Sequence, residues 1–118
     1  MRIAIAALSL LAVTACGGGG DTYDDTKAIA EALGCGSSHK IDPPDTFSLG
    51  ARETATCDAP DGRTYGLAIF RDDRARDMFV EGLGAMGGSY VVGPKWSVGA
   101  QTVADAGIVV EKIGGAEV

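Results

Sequence analysis

The chain has 118 residues, a formal net charge of −6 and 46% hydrophobic residues. That length suits one domain with a modest core, and ordinary apolar content with 22% charged residues excludes a disordered or collagen-like chain. The acidic balance argues against a nucleic-acid partner, or an anionic lipid surface, held by basic side chains.

The chain opens with Met1-Arg2, one positive charge, and then Ile3 to Val13, apolar apart from Ser9. Such a run is too short to cross a ~30 Å bilayer as a helix and has the form of a signal-peptide core. It leads into Val13-Thr14-Ala15-Cys16, the four glycines Gly17 to Gly20, and the acidic stretch Asp21-Thr22-Tyr23-Asp24-Asp25. Small residues before a scissile bond fit a narrow protease site, and an exposed thiolate is a natural nucleophile for acquiring a lipid. The glycines make a flexible tether.

Val13-Thr14-Ala15-Cys16 resembles a bacterial lipobox. The resemblance implies a signal peptide over 1–15, cleavage after Ala15, and thioether lipidation with palmitate-type acylation at Cys16. Residues 16–25 then form the lipidated tether and 26–118 a single small domain. One acyl chain holds a protein only marginally, so stable attachment takes two or more. Loss of Arg2 makes the mature chain more negative than the −6 of the full sequence, and a negative globule stands off an anionic membrane. The expected location is the outer, extracytoplasmic face of the cell membrane. The alternative is an ordinary secretory signal with Cys16 as a spare cysteine.

In chain order, Asp24 or Asp25 caps a short helix through Leu33, with Ile29 and Leu33 on one face and Gly34 as the stop. Residues 36–45, from Gly36 to Asp42-Pro43-Pro44-Asp45, read as loop. A strand from Leu49 or Ala51 to Cys57, the turn Pro60-Asp61-Gly62 and a strand from Arg63 to Phe70 make a hairpin. Tyr65, Leu67 and Ile69 share one face of the second strand. Asp72 or Asp73 caps a helix to Leu83 with Ala75, Met78, Phe79 and Leu83 inward, and Gly84 ends it. Ser89 to Val92 and Lys95 to Val98 are strands about the turn Gly93-Pro94. A last helix spans Ala100 to Ile113 with Val103, Ala106, Val110 and Ile113 inward, weakened at Gly107 by up to ~1 kcal/mol relative to Ala. The order α-β-β-α-β-β-α predicts an α+β fold: two layers, with about four mostly antiparallel strands and the helices on one face.

Cys35 and Cys57 remain once Cys16 is assigned to lipid. A pair of cysteines in a small exported domain predicts one disulfide, worth roughly 3 kcal/mol through loop closure. A redox-active pair ordinarily has C-x-x-C spacing, which is absent. The Cys that follows a short helix, the Cys before an Asp-Gly turn, Phe70, Tyr90-Val91-Val92-Gly93, Trp96 and Gly114-Gly115 together resemble small exported actinobacterial lipoproteins over most of residues 26–115. That resemblance implies an envelope lipoprotein and no particular activity.

The catalytic candidates are weak. Ser37-Ser38-His39 with Asp42 and Asp45 has the residue types of a Ser-His-Asp site, but neighbours in one loop do not hold nucleophile, base and orienter in line. Gly82-Leu83-Gly84-Ala85-Met86-Gly87 matches G-x-G-x-x-G but follows a helix and precedes a strand, the reverse of a dinucleotide site. Asp21/Asp24/Asp25, Asp42/Asp45 and Asp72/Asp73/Asp77 lack EF-hand spacing. With one histidine and two paired cysteines, a zinc site lacks ligands. Tyr90 and Trp96, beside the Gly93-Pro94 turn, are the candidate ligand pocket; the other reading places the aromatics in the core.

These features predict a lipid-anchored, non-enzymatic module without cofactor or metal, binding another envelope protein or a small ligand. One alternative is a phage- or prophage-encoded surface lipoprotein that interferes with superinfection. Another is an accessory cell-wall enzyme.

Overall fold

The computed structural model describes residues 21–41, 50–85 and 87–118. The signal segment, Cys16, the tether glycines, Asp42, Asp45, Phe47 and Met86 lie outside them. The elements are α1 (Thr26–Leu33), β1 (Ser37–Ile41), β2 (Ala51–Asp58), β3 (Thr64–Phe70), α2 (Asp73–Gly84), β4 (Ser89–Gly93), β5 (Trp96–Ala100), α3 (Val103–Ile113) and β6 (Ala116–Glu117). The strands form one antiparallel sheet in the order β1-β2-β3-β5-β4-β6.

The α+β class, the antiparallel sheet and the disulfide agree with the sequence expectation; two details do not. The sheet has six strands rather than four. Ser37–Ile41, expected as loop, is an edge strand exposed along its whole length, so no apolar alternation marks it. β6 is two residues long and equally unmarked. The helices also lie on both faces rather than one. Strand side chains alternate between faces, and β3 uses both: Tyr65, Leu67 and Ile69 pack in one buried cluster with α1 and α3, whereas Ala68 and Phe70 pack with Phe79 and Val80 of α2.

Short polar side chains start each helix. Asp25, Asp72 and Thr102 adopt extended backbone and accept from the N–H groups of Ala28, Ala75 and Asp105, satisfying first-turn donors. Gly34, at φ 76°, ends α1, and Lys112 at the end of α3 donates to the Leu33 carbonyl at 3.1 Å. Two expected boundaries shift. α2 runs through Gly84 rather than stopping there, and α3 begins at Val103 behind its Thr102 cap. The inward faces shift with them. Met78 and Val103, expected inside, are 62% and 71% exposed, while Val80 and Val109 are buried.

On the α1/α3 side, Trp96 is 0% exposed. Its ring lies against Gly93 and Gly115: a Cβ added to Gly93 would come within 2.2 Å of the indole, and one added to Gly115 within 2.7 Å of the Val92 carbonyl. The indole N–H donates to the Asp21 carbonyl at 2.7 Å, and Tyr23 meets the ring edge-on at 5.8 Å. Both ends of the described chain are therefore held at one side chain. On the α2 side, the β4–β5 connection Pro94-Lys95 puts Lys95 at φ 61°, a conformation unfavourable for a residue with a Cβ. Asp73 accepts from the Lys95 N–H at 2.8 Å and Arg76 donates to the Gly93 carbonyl at 2.6 Å, so the start of α2 holds the turn in that shape.

Glu53 of β2 ties the sheet to the start of α1, accepting from the Thr26 N–H at 2.7 Å and the Thr26 hydroxyl at 2.5 Å, with Lys40 at 3.5 Å. Partial burial pushes this carboxyl's pKa up, but the Thr26 hydrogen bonds and the Lys40 charge outweigh it, so the group titrates below its ordinary value. A lowered folded pKa gives stability that is present above the unfolded carboxylate value of ~4.3 and lost as pH falls through the folded one. Glu53→Gln should therefore lower the Tm at pH 7, with the gap from the native protein closing in acid; a gap that stays constant in thermal melts from pH 7 to pH 3 would refute this. The Cys35–Cys57 bond has a Cα–Cα distance of 5.8 Å, spans 22 residues and links the end of α1 to β2. Replacing both cysteines by Ser should cost roughly 3 kcal/mol and lower the Tm by more than about 10 °C. An unchanged Tm in differential scanning calorimetry would count against that contribution.

Candidate functional site

The register of the sheet lines up small residues on its α2 face. One cross-strand row runs Ile41, Thr54, Ala68, Ser97, Val92, and the next runs His39, Thr56, Gly66, Gly99, Tyr90. On the other face, the corresponding β2, β3, β5 and β4 positions carry Ala55, Leu67, Val98 and Val91, which are buried under α1 and α3. The large side chains thus fill one side of the sheet and the small ones leave room on the other.

α2 covers only part of that second face. Its Phe79 packs edge-on against Phe70 at 5.0 Å, with Val80 beside it. Over the two rows of small residues lies a trough of about 260 Å³, walled by Phe79 and Leu83 of α2 and ended by Tyr90 on one side and Ile41 on the other. Among the described residues, no charged side chain lines it. Its one polar anomaly is Thr54, 8% exposed, whose hydroxyl has no hydrogen-bond partner among the described residues. Leaving a buried hydroxyl unpaired costs about 1–3 kcal/mol.

Two glycines shape the floor. A Cβ on Gly99 would stand 3.1 Å from the Tyr90 ring, so Gly99 lets that ring lean across the sheet. A Cβ on Gly66 would meet nothing within 4 Å. Gly66 sits inside a central strand, where glycine weakens pairing and a β-branched residue is favoured. Burial also raises the pKa of the Tyr90 phenol, which stays a neutral hydrogen-bonding group at physiological pH.

The structure separates the two residues singled out as a pocket. Tyr90 closes one end of the trough, whereas Trp96 points to the opposite face and is enclosed there. His39 lies on exposed β1, and Ser37 donates to Asp58 at 3.4 Å rather than toward His39. Asp25 and Asp72 are helix caps, Asp73 holds the β4–β5 turn, and Asp77 pairs with Arg76. No group of three or more His, Cys, Asp or Glu side chains among the described residues could hold a metal ion. No described helix is long and apolar enough to cross a membrane.

The floor residues Thr54, Thr56, Gly66, Ala68, Ser97 and Gly99 form no motif. Their signal is a set of small residues at alternate positions of three strands, which reads as a solvent-facing side until the register brings the strands together. Comparison with known proteins finds no family model, no curated relative and no solved structure that matches the chain.

Thr54→Val keeps the shape of the side chain and removes the unpaired hydroxyl. It should raise stability by about 1–2 kcal/mol, or several degrees in Tm. A lower Tm would show that the hydroxyl is engaged in the folded protein.

Proposed function

We propose that the protein is a lipid-anchored lipoprotein of the bacterial cell envelope that acts by binding, without turnover. The observation that carries the binding half is the uncharged trough over the small-residue face of the sheet. Ligand sites are concave, mostly apolar and equipped with few polar groups, and the trough has that character. The anchor half rests on Val13-Thr14-Ala15-Cys16 and the glycine tether.

The two halves are compatible in space. The chain enters the domain at Asp21 and Tyr23, against Trp96 on the α1/α3 side. The trough opens on the other side of the sheet from this entry point. An acyl anchor keeps the domain at the membrane surface with no further lipid-binding face, consistent with its acidic charge.

Intact mass spectrometry of membrane-extracted protein should show a chain that starts at Cys16 and carries added acyl mass. Cys16→Ala should move the protein to the soluble fraction. A native protein found soluble and unmodified would overturn the anchor.

A further inference from the structure

We propose that the trough binds the hydrocarbon chain of an uncharged single-chain lipid, lying across the strands from Tyr90 toward Ile41. This deepens the binding reading above and rests on it. Four observations carry it.

The first is shape. Between its end walls, Ile41 of β1 and Tyr90 of β4, the floor of the trough runs over β2, β3 and β5, two strand spacings or roughly 10 Å at ~4.8 Å each. Its volume is about 260 Å³. With that floor length and volume, the trough suits a short hydrocarbon chain laid across the strands. At ~30 Å³ for each water-sized atom it takes roughly nine non-hydrogen atoms.

The second is charge. The whole chain carries a net charge of −6, yet among the described residues no carboxylate, ammonium or guanidinium lines the trough. An ionised headgroup would find no counter-charge there, so the complementary ligand segment is neutral.

The third is Gly66. A side chain at this position would meet no atom within 4 Å, so the packing of the described residues does not require glycine. Glycine there weakens a central strand, and its effect is to keep the middle of the trough open.

The fourth is Thr54, whose buried hydroxyl lacks a partner in the described chain. It offers one O–H donor, which a single hydroxyl or ester oxygen on an otherwise apolar chain would accept. A purely apolar filling, such as the face of a second copy, would leave it unpaired.

The test uses residues 16–118, which contain the whole described core and the disulfide, labelled with ¹⁵N and titrated with 1-octanol. Saturable shifts should appear at the amides of Gly66 and Gly99, with none at Leu33 and Val109 on the other side. From 1-hexanol to 1-octanol, affinity should rise about fourfold per methylene, the equivalent of ~0.8 kcal/mol per buried CH₂. Octanoate should bind more weakly than 1-octanol. Gly66→Val should abolish binding while leaving the Tm equal or higher, and Gly66→Ala, the milder variant, should weaken it about fourfold.

Absence of saturable shifts would overturn the proposal, as would a flat chain-length series or unchanged binding in both Gly66 variants. Octanoate binding as tightly as 1-octanol would overturn the uncharged assignment. Concentration-dependent dimerisation that competes with 1-octanol and is lost in Gly66→Val would make a second copy the occupant instead. These outcomes are independent of the anchor. Lipidated protein whose trough ignores alcohols sinks this inference alone, and 1-octanol binding by a chain that is never lipidated removes only the anchor.

Discussion

Trp96 is the side chain on which the two ends of the domain converge. Burying an indole of this size removes roughly 200 Å² from water, worth about 5 kcal/mol before the cost of ordering its neighbours. The geometry that permits this is strict. Gly93 and Gly115 lie so close to the ring that neither tolerates a Cβ without movement, and Gly115 also sits at φ 92°. With its N–H given to Asp21 and its edge to Tyr23, the indole fixes where the chain enters the fold. Through Gly115 it also fixes where α3 gives way to β6.

That placement sets the division of labour between the faces of the sheet. Trp96, Val98, Leu67, Ile69 and Val91 fill the space beneath α1 and α3, and the disulfide and Lys112 tie those helices down. Because strand residues alternate, the chain neighbours of those large side chains, among them Gly66, Ala68, Ser97 and Gly99, project the other way. Their small size leaves α2 as a cover over part of that face and a trough beside it. A dense face and an open face are thus two consequences of one pattern. The first holds the larger buried cluster, and the second carries the trough on which the proposed binding rests.

Much of this was legible residue by residue. Asp25 and Gly34 bracket α1, Asp72 starts α2, and Pro60-Asp61-Gly62 separates β2 from β3, because caps and turns are local chemistry that needs no distant partner. The Cys35–Cys57 pair follows from compartment and count. Edge strand β1 was illegible because Ser37, Ser38, His39, Lys40 and Ile41 are exposed on both faces. Burial periodicity is the only strand signal a sequence carries there, and it is missing. Trp96 was ambiguous for another reason: a large aromatic next to a turn suits either a pocket or the core, and the two glycines that enclose it lie on different segments of the chain.

By itself, the sequence determined the class of the fold, the two ends of α1, the start of α2, the β2–β3 hairpin and the cysteine pairing, and it raised the expectation of an address at the membrane. Each depends on residues close together in the chain or on composition. Tertiary structure alone decided that α2 crosses to the second face, that β5 inserts between β3 and β4, and that Gly66 of one strand lies beside Gly99 of another. Pairing between distant strands is set by the combined burial of many side chains, and no single segment encodes it. The trough exists only in that pairing. It is a property of two aligned rows of small residues drawn from separate stretches of the chain.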